Sequence, residues 1–335
     1  MKILSFTKHA IALSVSKPLI AAGFLAFGLM AQPAQAALTF NFNYLSPGQG
    51  FDDPTFGADR KAALNDAANA LGAYFSSYTA NLVYDVTSYS TDNSTLASAG
   101  SSTFEVPGTF QQTFAQSKIL SNGNDANGAA ADGVINWNFF HDWGLFDTVG
   151  ANQLDFKSTA MHELLHSFGF SSYIENGGVD SGIQPGNQAT WLTYDKFLTD
   201  AAGNRLVSDD GIFDPSKVAA LTDGTENAAG VFFSGENALA ATNGTGIAVY
   251  SPNPWVDGSS IAHLDDNSTA TNTSIMNAAA HNTGLDTRTL GSLELAVLKD
   301  IGYTQVAAVP VPSAVWFMLS GLVGVLGVNR RRKTA

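Results

Sequence analysis

Residues 154–170 read LDFKSTAMHELLHSFGF. On a helix, His162 and His166 stand one turn apart and project from the same face, a spacing that lets two imidazoles reach one metal ion. Glu163 lies beside them, where a carboxylate can take a proton from a water activated by the metal without itself being a ligand. Gly169, three residues after the second histidine, lets the chain leave the helix through a left-handed turn. A third ligand must then come from elsewhere. Zinc suits imidazole ligands and carries no redox chemistry. A string this short also arises by chance on amphipathic helices, so the rest of the chain has to support it.

A zinc hydrolase needs a third protein ligand and one open position. The compact arrangement would put a histidine six residues after His166, and Ser172 stands there. The chain has no cysteine, which excludes thiolate ligands and disulfides alike. Among the other histidines, His9 lies in the N-terminal leader and His141 sits in the aromatic run FFHDW, where a structural role is expected. His263 and His281 flank Ser274-Ile275-Met276-Asn277. Asp265 and Asp266 lie beside His263 and could coordinate in its place or orient it. Glu175 falls in a Gly-rich loop rather than on a helix. Asp195 is open to either a structural or a cleft-lining role.

Taken together, the 162–170 string, a distant His263 and Met276 resemble the metzincin zinc peptidases, and within them the leishmanolysin branch with its long insertion before the third histidine. Ser259 to Asp265 is similar to the third-ligand segment of tagged bacterial metallopeptidases. The resemblance implies one catalytic Zn2+ held by His162, His166 and His263, Glu163 as general base, and Met276 in a turn beneath the metal. It implies a protein or peptide substrate. It also implies an α+β fold of two lobes: residues 37–169 with a mixed sheet and the active-site helix, and a loop-rich 170–308 ending in a helix. Leishmanolysins are rich in cysteine and this chain has none, which excludes a cysteine-switch latency. No tyrosine follows Met276 closely.

Both ends read as addresses. Residues 1–36 form a secretory signal, with Lys2, Lys8 and Lys17, an apolar core from Leu19 to Ala31, and Ala34-Gln35-Ala36 as cleavage site. Residues 309–335 carry Val309-Pro310-Val311-Pro312, an apolar stretch to Val328 and Arg330-Arg331-Arg332-Lys333. This layout resembles the PEP-CTERM tails of Gram-negative bacteria. It implies processing by an exosortase-like enzyme and an extracellular, matrix or envelope location; a plain C-terminal anchor is the alternative. Membrane contact is expected only through these terminal segments. Residues 37–308 keep nine of the 16 basic residues against all 29 acidic ones, a net charge near −20 that excludes nucleic acid as a natural partner.

Along the domain, alternation predicts strands over 38–44, 81–89 and 134–140, and helical spacing predicts a helix over 58–74. Further on, Val231 to Phe233 is a short apolar burst, 246–250 a strand, and 292–300 a helix closed by Gly302. Residues 121–133 are rich in Asn and Asp. Calcium is conceivable there, but EF-hand spacing is missing and a solvated loop is expected. No G-x-S-x-G string supports a serine hydrolase. The rival to an enzyme is a matrix or surface protein with a structural zinc, which would call for four protein ligands.

Overall fold

The computed structural model describes residues 38–224, 230–278 and 283–309. The expected signal, the tail from Pro310 onward and His281 lie outside the described residues. In chain order the first elements are β1 (Leu38–Tyr44), α1 (Gly57–Gly72), β2 (Ala80–Tyr89), β3 (Ala97–Gly100), β4 (Thr109–Gln111), α2 (Phe114–Leu120) and β5 (Gly133–Asn138). Next come β6 (Trp143–Gly144), β7 (Leu154–Asp155), α3 (Phe156–Ser167), β8 (Thr190–Leu192) and β9 (Leu198–Asp200). The last are β10 (Val231–Phe233), α4 (Glu236–Ala241), β11 (Ile247–Val249) and α5 (Ser292–Asp300). The architecture is mixed α+β with several small sheets.

The principal sheet is four-stranded, in the order β1-β2-β5-β3. Strands β1, β2 and β5 are parallel, and β3 runs antiparallel to β5. Parallel neighbours need a crossover connection, and α1 supplies it between β1 and β2. Leu82, Tyr84 and Val86 point alternately into the core from β2 and are buried. Close approach at the β5 start requires Gly133, where a Cβ would fall 2.6 Å from the Tyr84 ring and 2.8 Å from the Gly100 carbonyl. That leaves β3 on the edge, bordering the cleft described below.

Several short elements arise in what reads as loop, and two of them matter for the site and its surroundings. One is β3 itself. The other is α2, opened by a capping box in which Thr113 accepts from the Gln116 amide and the Gln116 side chain accepts from the Thr113 amide. After α2, the Asn/Asp-rich loop is closed by the protein's own cation. The Lys118 ammonium sits 2.7 Å from Asp125 and 2.9 Å from Asp132, while Asp125 also accepts the amides of Asn127 and Gly128. The two aspartates of this loop thus share a single lysine.

One hydrophobic cluster runs through both halves of the chain, from Leu64 and Tyr84 to Val231, Leu264 and Tyr303. In the second half, β9, β10 and β11 form an antiparallel sheet, and β8 pairs with β4 of the first half. The carboxylate of Asp300, at the end of α5, accepts the amides of Asn237 and Ala238 and so caps α4. Beyond Gly302, whose φ is +123°, Tyr303 donates its hydroxyl to the Phe168 carbonyl at 2.9 Å. The C-terminal helix is thereby fastened to the end of α3.

Candidate metal centre

Helix α3 is buried on nearly every side, with Lys157 alone outside the buried set. It packs against α1 and β3. Asp155 caps its N-terminus by accepting the Ser158 amide at 3.1 Å. The same carboxylate receives Arg288 Nε at 2.7 Å and the Asp286 amide at 3.1 Å, and Ser158 Oγ donates to the Thr287 carbonyl. The cap is therefore also a joint to a segment more than a hundred residues downstream. At the other end Gly169 adopts φ +89°, and the amides of Gly169 and Phe170 return to the carbonyls of His166 and Leu165. The expected left-handed exit is present, and it turns the Phe170 carbonyl back toward His166.

His263 arrives from outside the helix. Its segment pairs with the end of β11: the Tyr250 amide donates to the His263 carbonyl, the Asp265 amide to Ala248, and Leu264 bridges to Val249. Ile261 is held at φ +69°, a left-handed conformation costing roughly 1–2 kcal/mol for a non-glycine residue. Full burial and the hydrogen bond from its N–H to the Tyr250 carbonyl hold it there.

Each of the three rings is oriented by a backbone carbonyl. His162 Nδ1 lies 2.6 Å from the Ile275 oxygen, His166 Nδ1 2.8 Å from Phe170, and His263 Nδ1 2.8 Å from Ser259. A carbonyl only accepts, so Nδ1 carries the proton in all three and the neutral rings turn a lone pair outward at Nε2. Those three Nε2 atoms stand 3.0, 3.1 and 3.1 Å from one another. Burial holds the His166 pKa down at about 4, partly offset by the Phe170 carbonyl, so this imidazole stays in its neutral, ligating form. Three lone pairs converging at this distance repel unless a cation lies among them. Nitrogens bound to one zinc at ~2.0–2.1 Å stand roughly 3–3.4 Å apart, so the donor set fits the ion. Among the described residues, these three histidines are the group whose ligand atoms converge closely enough for a metal.

Glu163, also buried, is beside this triangle. Burial pushes its carboxyl up to about 8, opposed by a hydrogen bond from the Ala99 backbone amide. A dication at the three nitrogens would act in the opposite direction, favouring the carboxylate. A cavity of about 380 Å³ opens over the histidines and Glu163. One wall is β3 with its approach, Ser94 to Ala99; the other is Val256 to Ser259.

Comparison with known proteins adds no family. The chain matches no known family model and no curated protein. The metzincin and sorting-tail resemblances therefore rest on the motifs themselves.

The remaining candidates separate cleanly. Ser172 donates to Asp195, whose other oxygen accepts the amides of Tyr173 and Leu192. Asp195 is fully buried, with its pKa pushed up to about 7 by burial against these bonds; it braces the chain after α3. His141 lies edge-on to Phe140 and Trp143, away from the histidine triad. Asp265 accepts the Asn267 amide and is not part of the converging set. Met276 is completely buried. Its turn touches both ligand segments, because Ile275 accepts from His162 and the Met276 carbonyl accepts the Leu264 amide. Sequence reasoning missed Glu294, whose buried carboxylate holds this turn. It also missed β3, the cleft wall. Among the described residues no helix is long and apolar enough to cross a membrane.

Proposed function

We propose that this chain is an exported zinc endopeptidase of metzincin type, with His162, His166 and His263 holding one catalytic ion and Glu163 as general base. The observation that carries the proposal is the triangle of Nε2 lone pairs on the floor of an open cleft, with a carboxyl on the same helix. Three ligands with a cavity beside them suit a catalytic centre, whereas a structural zinc is closed by four. The buried Met276 turn joining both ligand segments supports the metzincin reading, and the signal and sorting tail support export.

Zinc bound there would supply Lewis-acid chemistry, making a water more acidic and polarising the scissile carbonyl. Glu163 takes the proton from that water and delivers it to the leaving amine. A carboxyl on the ligand helix can do both, and the Ala99 backbone hydrogen bond, like a dication at the histidines, favours its ionised, proton-accepting form. The edge strand β3 offers backbone donors and acceptors along one cleft wall, onto which an extended peptide can add as a further strand. Backbone recognition of this kind selects polypeptides.

The test pairs metal analysis with a chelator-sensitive casein assay on the domain 37–308. Glu163→Ala is expected to retain one zinc per chain while cleavage falls below detection. Wild-type turnover by that variant would remove Glu163 from the mechanism. A wild-type protein that binds zinc and cleaves nothing would favour the structural-site alternative.

A further inference from the structure

Glu294, in the first turn of α5, is 2 % exposed. Its Oε1 accepts the Ile275 amide at 3.0 Å and the Ser274 hydroxyl at 2.5 Å, and its Oε2 accepts the Gly291 amide at 3.0 Å. Ser274 Oγ in turn accepts the Met276 amide at 3.0 Å. Every partner is a donor, as an ionised carboxylate requires. No lysine or arginine pairs with it among the described residues, and a buried carboxylate without a cation is costly.

What the carboxylate holds is the backbone that orients a ligand. Ile275 donates its N–H to Glu294 and accepts His162 Nδ1–H at 2.6 Å through its own carbonyl. The path from Glu294 to the His162 ring contains one residue and two hydrogen bonds, of 3.0 and 2.6 Å. A helix near the C-terminus of the domain is thus linked to a ring 132 residues upstream in sequence.

We propose that Glu294 is a positioning residue for the metal centre, fixing the tautomer and aim of His162 through the Ser274–Met276 turn. The inference rests on the metal centre described above. It extends that site to a carboxylate whose negative charge complements the dication indirectly. Groups that orient ligating histidines typically change metal affinity about 10–100-fold when removed. The Gly291 contact gives Glu294 a helix-capping role as well, so the test must separate support of the fold from support of the ligand.

Zinc affinity is measured by chelator competition on the wild-type domain, on Glu294→Gln and on Ser274→Ala, alongside thermal melts of each protein without metal. The cobalt(II)-substituted forms are compared by visible absorption. Glu294→Gln preserves shape and removes the charge; it is expected to weaken zinc binding about 10-fold or more and to shift the cobalt bands. Ser274→Ala keeps the carboxylate but removes both hydrogen bonds of Oγ, to Glu294 and from the Met276 amide, and is expected to lose affinity by about threefold or more. A folded Glu294→Gln that binds zinc within about twofold of wild type, with an unchanged cobalt spectrum, overturns the proposal even if its melting point falls. If Glu294→Gln does not fold, unchanged affinity in Ser274→Ala overturns it and a loss sustains it. Failure of the wild-type domain to bind zinc would instead refute the metal centre itself.

Discussion

At the scale of single residues, two buried groups pull the metal-free protein in opposite directions with pH. The Glu163 carboxyl is raised from 4.5 to about 8. The folded chain keeps a proton there that the unfolded chain has released, so stability falls as pH rises through that interval. His166 is lowered from 6.5 to about 4. The unfolded chain binds that proton first, so stability falls as pH drops from about 6.5 to about 4. Between 4.5 and 6.5 the two oppose each other, and above 6.5 Glu163 acts alone. Thermal melts in chelator should therefore show wild type weakening from pH 6.5 to 8, and Glu163→Gln losing less over the same range. Equal slopes in the two proteins would mean the carboxyl is not desolvated as described. His263→Ala should lose zinc and cleavage together, as measured by metal content. Full zinc occupancy in that variant would return the third position to Asp265, Asp266 or His281.

Among the elements, α3 is the one on which the site depends, and both of its ends can be tested. Gly169→Ala places a Cβ 2.5 Å from Gln116 Oε1 at φ +89°. Left-handed strain alone costs on the order of 1–3 kcal/mol, and the Phe170 carbonyl that orients His166 shifts with it. A lower urea midpoint together with weaker zinc binding is the expected result; a lowered midpoint with normal affinity would limit Gly169 to helix termination. At the other end, Arg288→Ala leaves the fully buried Asp155 without its cation. Breaking a buried pair from one side costs roughly 3–5 kcal/mol. Chemical denaturation should report a loss of that order, and a loss below about 1 kcal/mol would show that the amide donors of Ser158 and Asp286 suffice.

For the whole molecule, an ion held by the three histidines would also be a fastening. The three ligands come from α3 and from the strand-like segment after β11, 97 residues apart in sequence between His166 and His263. An ion that binds the folded arrangement stabilises it by mass action, about 4 kcal/mol at a thousand times its dissociation constant. Chelation should lower the melting temperature of the wild-type domain, and added zinc should raise it again with the logarithm of its free concentration. A melting temperature indifferent to both would contradict a single site bridging the two segments.

Elements whose information is local are legible in the chain alone. Helix α3 with His162, Glu163, His166 and its Gly169 exit, strands β1 and β2, α1 and α5 follow from periodicity and end signals within a dozen residues. Residues 97–100, Ala-Ser-Ala-Gly, carry no alternation and little strand preference. They become a strand because β5 supplies the partner, and so the cleft wall was invisible. Helix α2 had a usable signal, the Thr113–Gln116 box, in a stretch otherwise read as polar loop. The tertiary structure alone decided that His263, rather than Asp265 or Asp266, converges on the helix pair. That choice depends on the backbone register beside β11 and on the turn braced by Glu294. Such convergence between distant segments is settled by packing and pairing of the whole core, which leaves no local pattern in the chain.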